Sequence, residues 1–115
     1  MRKIETLMNQ AVNGNANWSL ANTTVHFNEE ENVSVVRLHG NKIAEVGEDY
    51  MVLFDGGWQS VTTKSRLNAL CDAFAFDGEG VFQKAGKWFV RRMVGAVNGQ
   101  PVFKTVDFES GYRLD

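Results

Sequence analysis

Between Thr23 and Phe54 the chain sets short apolar or alternating segments end to end, joined by links too short for a parallel return. Bringing a strand back parallel to its neighbour takes a crossover of about a dozen residues or more, so these segments must pair antiparallel. Thr23, Val25 and Phe27 alternate with Thr24 and His26, the period of a strand with one buried face. The acidic link Asn28–Asn32 leads to a strand over 33–38. Gly40-Asn41 then suits a two-residue hairpin turn into a strand over 42–46. After Gly47-Glu48, the run Tyr50-Met51-Val52-Leu53-Phe54 is nearly continuous apolar, which predicts a central strand. The result is a four-strand meander.

A helix is predicted on each side of it. Ile4, Leu7, Met8, Ala11 and Val12 fall at the helical spacing, and Asn13-Gly14 supplies the stop, with glycine free to turn left-handed. Trp18 interrupts a polar stretch from Asn15 to Asn22 and is expected to close the helix onto the rest. Asp55-Gly56-Gly57-Trp58 breaks the sheet. A second helix begins near Thr62 or Thr63 and runs to about Phe74, with Leu67, Leu70, Cys71 and Phe74 as its buried stripe and Ser60, Thr62 or Thr63 as its cap. Strands follow on either side of Ala85-Gly86, and Asn98-Gly99 marks a hairpin into a strand over Val102–Phe108. Pro101 lacks an amide proton and belongs at that strand's start or on an edge. The tail from Glu109 to Asp115 shows no pattern.

The reading is therefore α+β: N-terminal helix, four-strand antiparallel meander, second helix, three-strand antiparallel meander, packed as one twisted sheet or a partly closed barrel. A chain of 115 residues fits a single domain spanning residues 1–115. No apolar run approaches a membrane span. The N-terminus has a basic start but no apolar stretch behind it, so no signal peptide is expected. Cys71, the one cysteine, cannot pair internally, which suits a reducing compartment.

A net charge of −2 gives no global attraction to nucleic acid, but the charge is uneven. Residues 28–55 hold seven acids against Arg37 and Lys42, whereas Lys84, Lys87, Arg91 and Arg92 occupy 84–92 without an acid among them. Such a chain can still present a basic face. Solvation of the outer faces of strands is the simpler explanation of the same charges.

Two constellations stand out. In the first, a glycine pair precedes Trp58, the hydroxyls of Thr62 and Thr63, and two cations, Lys64 and Arg66, at the start of the second helix. The helix dipole disfavours cations there, and unpaired amides favour anions. A phosphate-bearing ligand would compensate the cations, with Trp58 as a stacking wall; ordinary capping with solvated basic side chains is the competing reading. The Gly-x-x-x-x-Gly-Lys-Ser/Thr phosphate loop is missing, so no ATP or GTP hydrolysis is inferred. In the second, Phe82, Lys84, Lys87, Trp88, Phe89, Arg91 and Arg92 mix rings with cations on a predicted hairpin, as in binders of single-stranded nucleic acid. Alternation divides them: Trp88 and Val90 share one face, Phe89 and Arg91 the other. Core packing accounts for most of the rings. His26 and His39 fall several rungs apart, and with one cysteine no metal site or cofactor is expected. Cys71 lies on a buried stripe, so a thiolate nucleophile is not expected.

The runs Leu38-His39-Gly40-Asn41-Lys42-Ile43-Ala44 and Asp55-Gly56-Gly57-Trp58-Gln59-Ser60-Val61-Thr62-Thr63-Lys64-Ser65-Arg66-Leu67-Asn68-Ala69-Leu70 resemble a family of small uncharacterised proteins encoded by tailed bacteriophages. Gly80-Val81-Phe82-Gln83-Lys84 and Gly86-Lys87-Trp88-Phe89 extend the likeness. It covers residues 1 to about 91, and the segment after Arg92 has no counterpart in it. The resemblance implies a phage origin, a host cytoplasm and no assigned catalytic residues. Together with the lack of a catalytic signature it leads to the expectation of a non-enzymatic accessory protein that binds and inhibits or sequesters a host component, for host takeover or anti-defence. Two alternatives stand beside it: a binder of nucleic acid or a nucleotide signal through the second helix start, and a small structural or virion-associated protein that forms homo-oligomers.

Overall fold

A computed structural model describes residues 1–115. The elements are α1 (Lys3–Asn13), β1 (Trp18–Leu20), β2 (Thr23–Asn28), β3 (Val33–Leu38), β4 (Asn41–Val46), β5 (Met51–Leu53), α2 (Val61–Phe74), β6 (Gly80–Lys84), β7 (Lys87–Val97), β8 (Gln100–Asp107) and β9 (Tyr112–Leu114). The fold is α+β with every strand pair antiparallel, in the order expected.

The two meanders do not merge. One sheet runs β1-β2-β3-β4-β5-β9 and the other β6-β7-β8, and neither closes into a barrel. Two strands of three residues, β1 and β9, add themselves to the edges of the first meander. The tail thus has a structure after all: β9 pairs with β5, Leu114 opposite Met51, and is placed by a strand far back in the chain. The addition leaves β5 flanked on both sides, as its apolar run predicts.

Turn chemistry explains the registers. His39-Gly40, Ala85-Gly86 and Asn98-Gly99 are two-residue loops with positive φ at both residues, the backbone that matches the twist of a hairpin. The first turn lies one residue earlier than Gly40-Asn41, because glycine takes the second position and Asn41 already pairs with Leu38. At the end of α1 it is Asn15, with φ 52°, that turns left-handed, while Gly14 keeps φ at −91°.

One hydrophobic cluster joins all layers. Met8, Val36, Leu53, Leu67, Leu70 and Val90 expose none of their surface, and both helices, both sheets and β9 contribute to it. Trp18 packs against its margin. Truncating a buried leucine such as Leu67 to alanine costs about 2–5 kcal/mol. The second sheet is anchored to α2 by a side chain: Asn68 donates to the Val81 carbonyl at 2.8 Å and accepts from the Val81 amide at 2.7 Å. Its amide acts as a one-residue strand along the outer edge of β6. Beyond Arg91, the last β7 residue opposite β6, β7 and β8 continue as a two-stranded arm that ends at Asn98-Gly99. Val94, Val97 and Val102 on this arm are exposed.

Candidate functional site

The start of α2 forms as its sequence suggests. Ser60 caps it, its Oγ accepting from the Thr63 amide at 3.0 Å, and the Asp55 carboxylate accepts from the Gly57 amide at 2.8 Å to hold the glycine turn. A cleft of about 340 Å³ opens beside it, lined by Leu38, His39, Asp55, Trp58, Ser60 and Thr63 among others. Trp58 is 79% exposed and Thr63 is buried.

The cations of this segment point elsewhere. Arg66 is only 3% exposed and directs its guanidinium inward, 2.9 Å from the Glu5 carboxylate on α1, 3.1 Å from Thr23 Oγ1 and 3.3 Å from Asn22 Oδ1. The Lys64 ammonium donates to Gln83 on β6 at 3.3 Å. Neither lines the cleft, and Thr62 does not either. The expected anion partner of Arg66 therefore exists, but it is Glu5 of the same chain, and the cleft itself contains the Asp55 carboxylate and no lysine or arginine. Of the five residues singled out here, the fold brings only Trp58 and Thr63 together.

Glu5 is held tightly. Burial pushes its carboxyl pKa up, but the hydrogen bonds from Ser65 (2.6 Å), Arg66 and the Arg2 amide, with the Arg66 charge, outweigh that and leave it below the usual carboxylate value. Cys71 shows the opposite case. Burial, with Glu79 and Asp72 nearby, pushes its thiol up to about 12, so no thiolate forms near neutral pH. His26 and His39 are exposed and several rungs apart, and no group of three or more His, Cys, Asp or Glu side chains converges on one point.

The second constellation divides as alternation requires. Trp88 and Val90 face the core. Arg92, on the same side of β7, donates to the Tyr112 hydroxyl at 2.8 Å and lies 3.8 Å from Asp115. Lys87, Phe89 and Arg91 take the outer face. Cross-strand pairing sets Phe82 beside Phe89, ring centroids 5.5 Å apart, and Lys84 beside Lys87. Phe103 of β8 adds a third ring, with the Arg91 guanidinium 4.0 Å from its centre. Neither Phe82, Phe89 nor Phe103 belongs to the core cluster.

Phe103 and Asp107 are absent from the sequence reading. Counting back from Asn98-Gly99 without a break sets Phe103 opposite Val94. The register instead shifts between Met93 and Gly95, which puts Phe103 opposite Met93 and on the face of Arg91. Gly95 is the one residue that hints at this bulge. Phe103 also lies over Gly78, where a Cβ would fall 2.6 Å from its ring. Asp107 reaches Lys87 at 3.1 Å, with both side chains 60% exposed, and is the one acid on this face of β6, β7 and β8.

Fold and surface together define a small α+β protein with one shared core and a basic, ring-bearing sheet face outside it, and no helix is long and apolar enough to cross a membrane. The chain belongs to the Kyanoviridae Gp96 protein family, a family of cyanophage proteins, whose model matches residues 1–115. The match includes the segment after Arg92, where the resemblance finds no counterpart. No curated protein and no solved structure shows significant similarity to the chain.

Proposed function

We propose that the protein is a non-enzymatic phage accessory factor that acts in the host cytoplasm by binding a host component, and that the β6-β7-β8 sheet is its binding element. One observation carries this reading. Three cations and three half-buried rings sit together on a sheet face turned away from the core cluster, where they pack only on one another and on Gly78. Elsewhere Arg66 is buried against Glu5 and Arg92 is half-buried against Tyr112. Lys42 over Phe54 and Arg113 over Tyr50 are single cation–ring pairs and not a cluster. Lys84→Glu with Arg91→Glu reverses the charge of the face at exposed positions, so the fold is expected to persist. Tagged wild-type and variant proteins expressed during infection are compared for captured host material and phage yield. Loss of both in the variant supports the reading; identical capture and yield overturn it.

A second reading, a structural or virion-associated protein that forms oligomers, draws on the outer edge of β8, which pairs with no strand. Light scattering separates the two, because a monomer at high concentration removes the second.

A further inference from the structure

We infer that the outer face of the β6-β7-β8 sheet is a binding site for single-stranded nucleic acid, with Phe82, Phe89 and Phe103 meeting unpaired bases and Lys84, Lys87 and Arg91 tracking phosphates. This deepens the proposal above and rests on its choice of binding element. Three properties of the face select the ligand. Its charge is the reverse of the chain's, three cations against Asp107 alone in a protein of net charge −2. Its rings lie between the cations along the strands: the Lys84–Lys87 pair at one end, Phe82 and Phe89 next, then Arg91 with Phe103. Along β7 the distance from Lys87 to Arg91 is about 13 Å at the usual strand rise. That reach suits two or three extended nucleotides, the number that open antiparallel sheets engage through stacked aromatics.

The rings decide between strands and duplex. Base faces are hidden inside a double helix, so half-buried rings on an open sheet face can stack on nucleic acid only through unpaired bases. An acidic protein surface would satisfy the cations as well, and capture from nuclease-treated extract separates it from a nucleic acid. The Lys87–Asp107 pair is exposed on both sides and gives way to a phosphate, since surface ion pairs contribute little.

The test uses the full-length protein and fluorescein-labelled oligothymidylate and oligoadenylate, read by fluorescence polarisation. Three phosphate contacts predict a log–log salt slope of about −2, so raising salt from about 50 to about 200 mM weakens binding roughly 20-fold. Lys84→Gln with Arg91→Gln flattens that slope. Phe89→Leu keeps the site apolar and weakens binding about tenfold with the slope unchanged, the signature of lost stacking. Asp107→Asn frees Lys87 and tightens binding several-fold, a gain that misfolding does not mimic. A duplex of the same sequence binds at least tenfold more weakly.

No polarisation change at ~100 μM protein in low salt, or equal affinity for duplex, overturns the inference, as does indifference to these substitutions. A companion capture from nuclease-treated host extract separates the two levels of the argument. If oligonucleotides do not bind but Lys84→Glu with Arg91→Glu still abolishes a nuclease-resistant complex, the ligand class is wrong and the binding element stands. If both experiments are blank, both fail.

Discussion

The two sheets use similar residues for different ends. In the six-stranded sheet, valine, isoleucine and leucine from β2 to β5 sit inside the core: Val25, Val36, Leu38, Ile43, Val46 and Leu53 are all buried. In the three-stranded sheet only the root does this, through Val81, Trp88 and Val90, and the arm beyond it leaves Val94, Val97 and Val102 in solvent. Two arginines show the same contrast. Arg66, joining α2 to α1 and β2, is enclosed by Glu5, Thr23 and Asn22, while Arg91 lies exposed with Phe103 beneath it. Apolar and cationic side chains thus act as structure in one region and as surface in the other. Packing around them decides which, and residue type does not.

That contrast is sharpest at Arg66. Arg66→Ala leaves the Glu5 carboxylate buried with no countercharge, and loss of one partner of a buried pair costs about 3–5 kcal/mol. Urea unfolding reads it, and Arg91→Ala is the control, with a change within about 0.5 kcal/mol. Equal effects would erase the distinction between the two regions. The same pair predicts an acid response. Because the folded Glu5 carboxyl titrates below its unfolded value near 4.3, its stabilisation is present above that pH and lost as pH falls through the lower folded value. Unfolding midpoints measured from neutral to acid pH fall in that window, and in Arg66→Ala the Glu5 contribution to the fall shrinks.

Next in size is Asn68→Ala, which strands the Val81 amide and carbonyl at a half-buried edge. Each fully buried unsatisfied group costs about 1–3 kcal/mol, and with two groups at an edge that water partly reaches a loss of about 2–3 kcal/mol is expected, with faster amide exchange in β6 than in β3. Ala85→Asn works in the opposite direction. Ala85 has φ 52° at the first position of a hairpin turn where asparagine is at ease, and the exchange should stabilise by about 0.5–1 kcal/mol in thermal unfolding. The smallest effect belongs to the arm: Val97→Thr alters a residue 61% exposed and should shift stability by less than about 0.5 kcal/mol. A larger loss would mean that the arm is part of the core's support.

What the sequence reveals follows from how local each cause is. Strand β3 emerges at its true bounds, 33–38, because alternation and both flanking turns are written within a few residues of it. The Ser60 cap and the stripe Leu67, Leu70 and Cys71 are equally local, as is the split of Trp88 from Phe89. Strands β1 and β9 are too short to carry a period, and β9 exists because β5 offers an edge across a long stretch of chain. Arg66 is the instructive case for the site. The oddity of a cation in the first turns of a helix is visible and does require an anion, but nothing in the spacing says that the anion is Glu5 on another helix. Phe103 was hidden by a single inserted residue, since the bulge after Met93 moves it from one face to the other.

The Asn68 clamp on β6 gives the smaller sheet a handedness of access. Along that flank the amide of Asn68 occupies Val81, and just past the end of β6 the buried Glu79 carboxylate takes the Met93 amide at 2.8 Å. The opposite flank, β8, has no such plug. A visiting strand has one berth at the root of this sheet, and two copies meeting there would use up the berth of each. Two-fold pairing of β8 with β8 therefore ends at a pair, since the Asn68 side of each root offers no second berth.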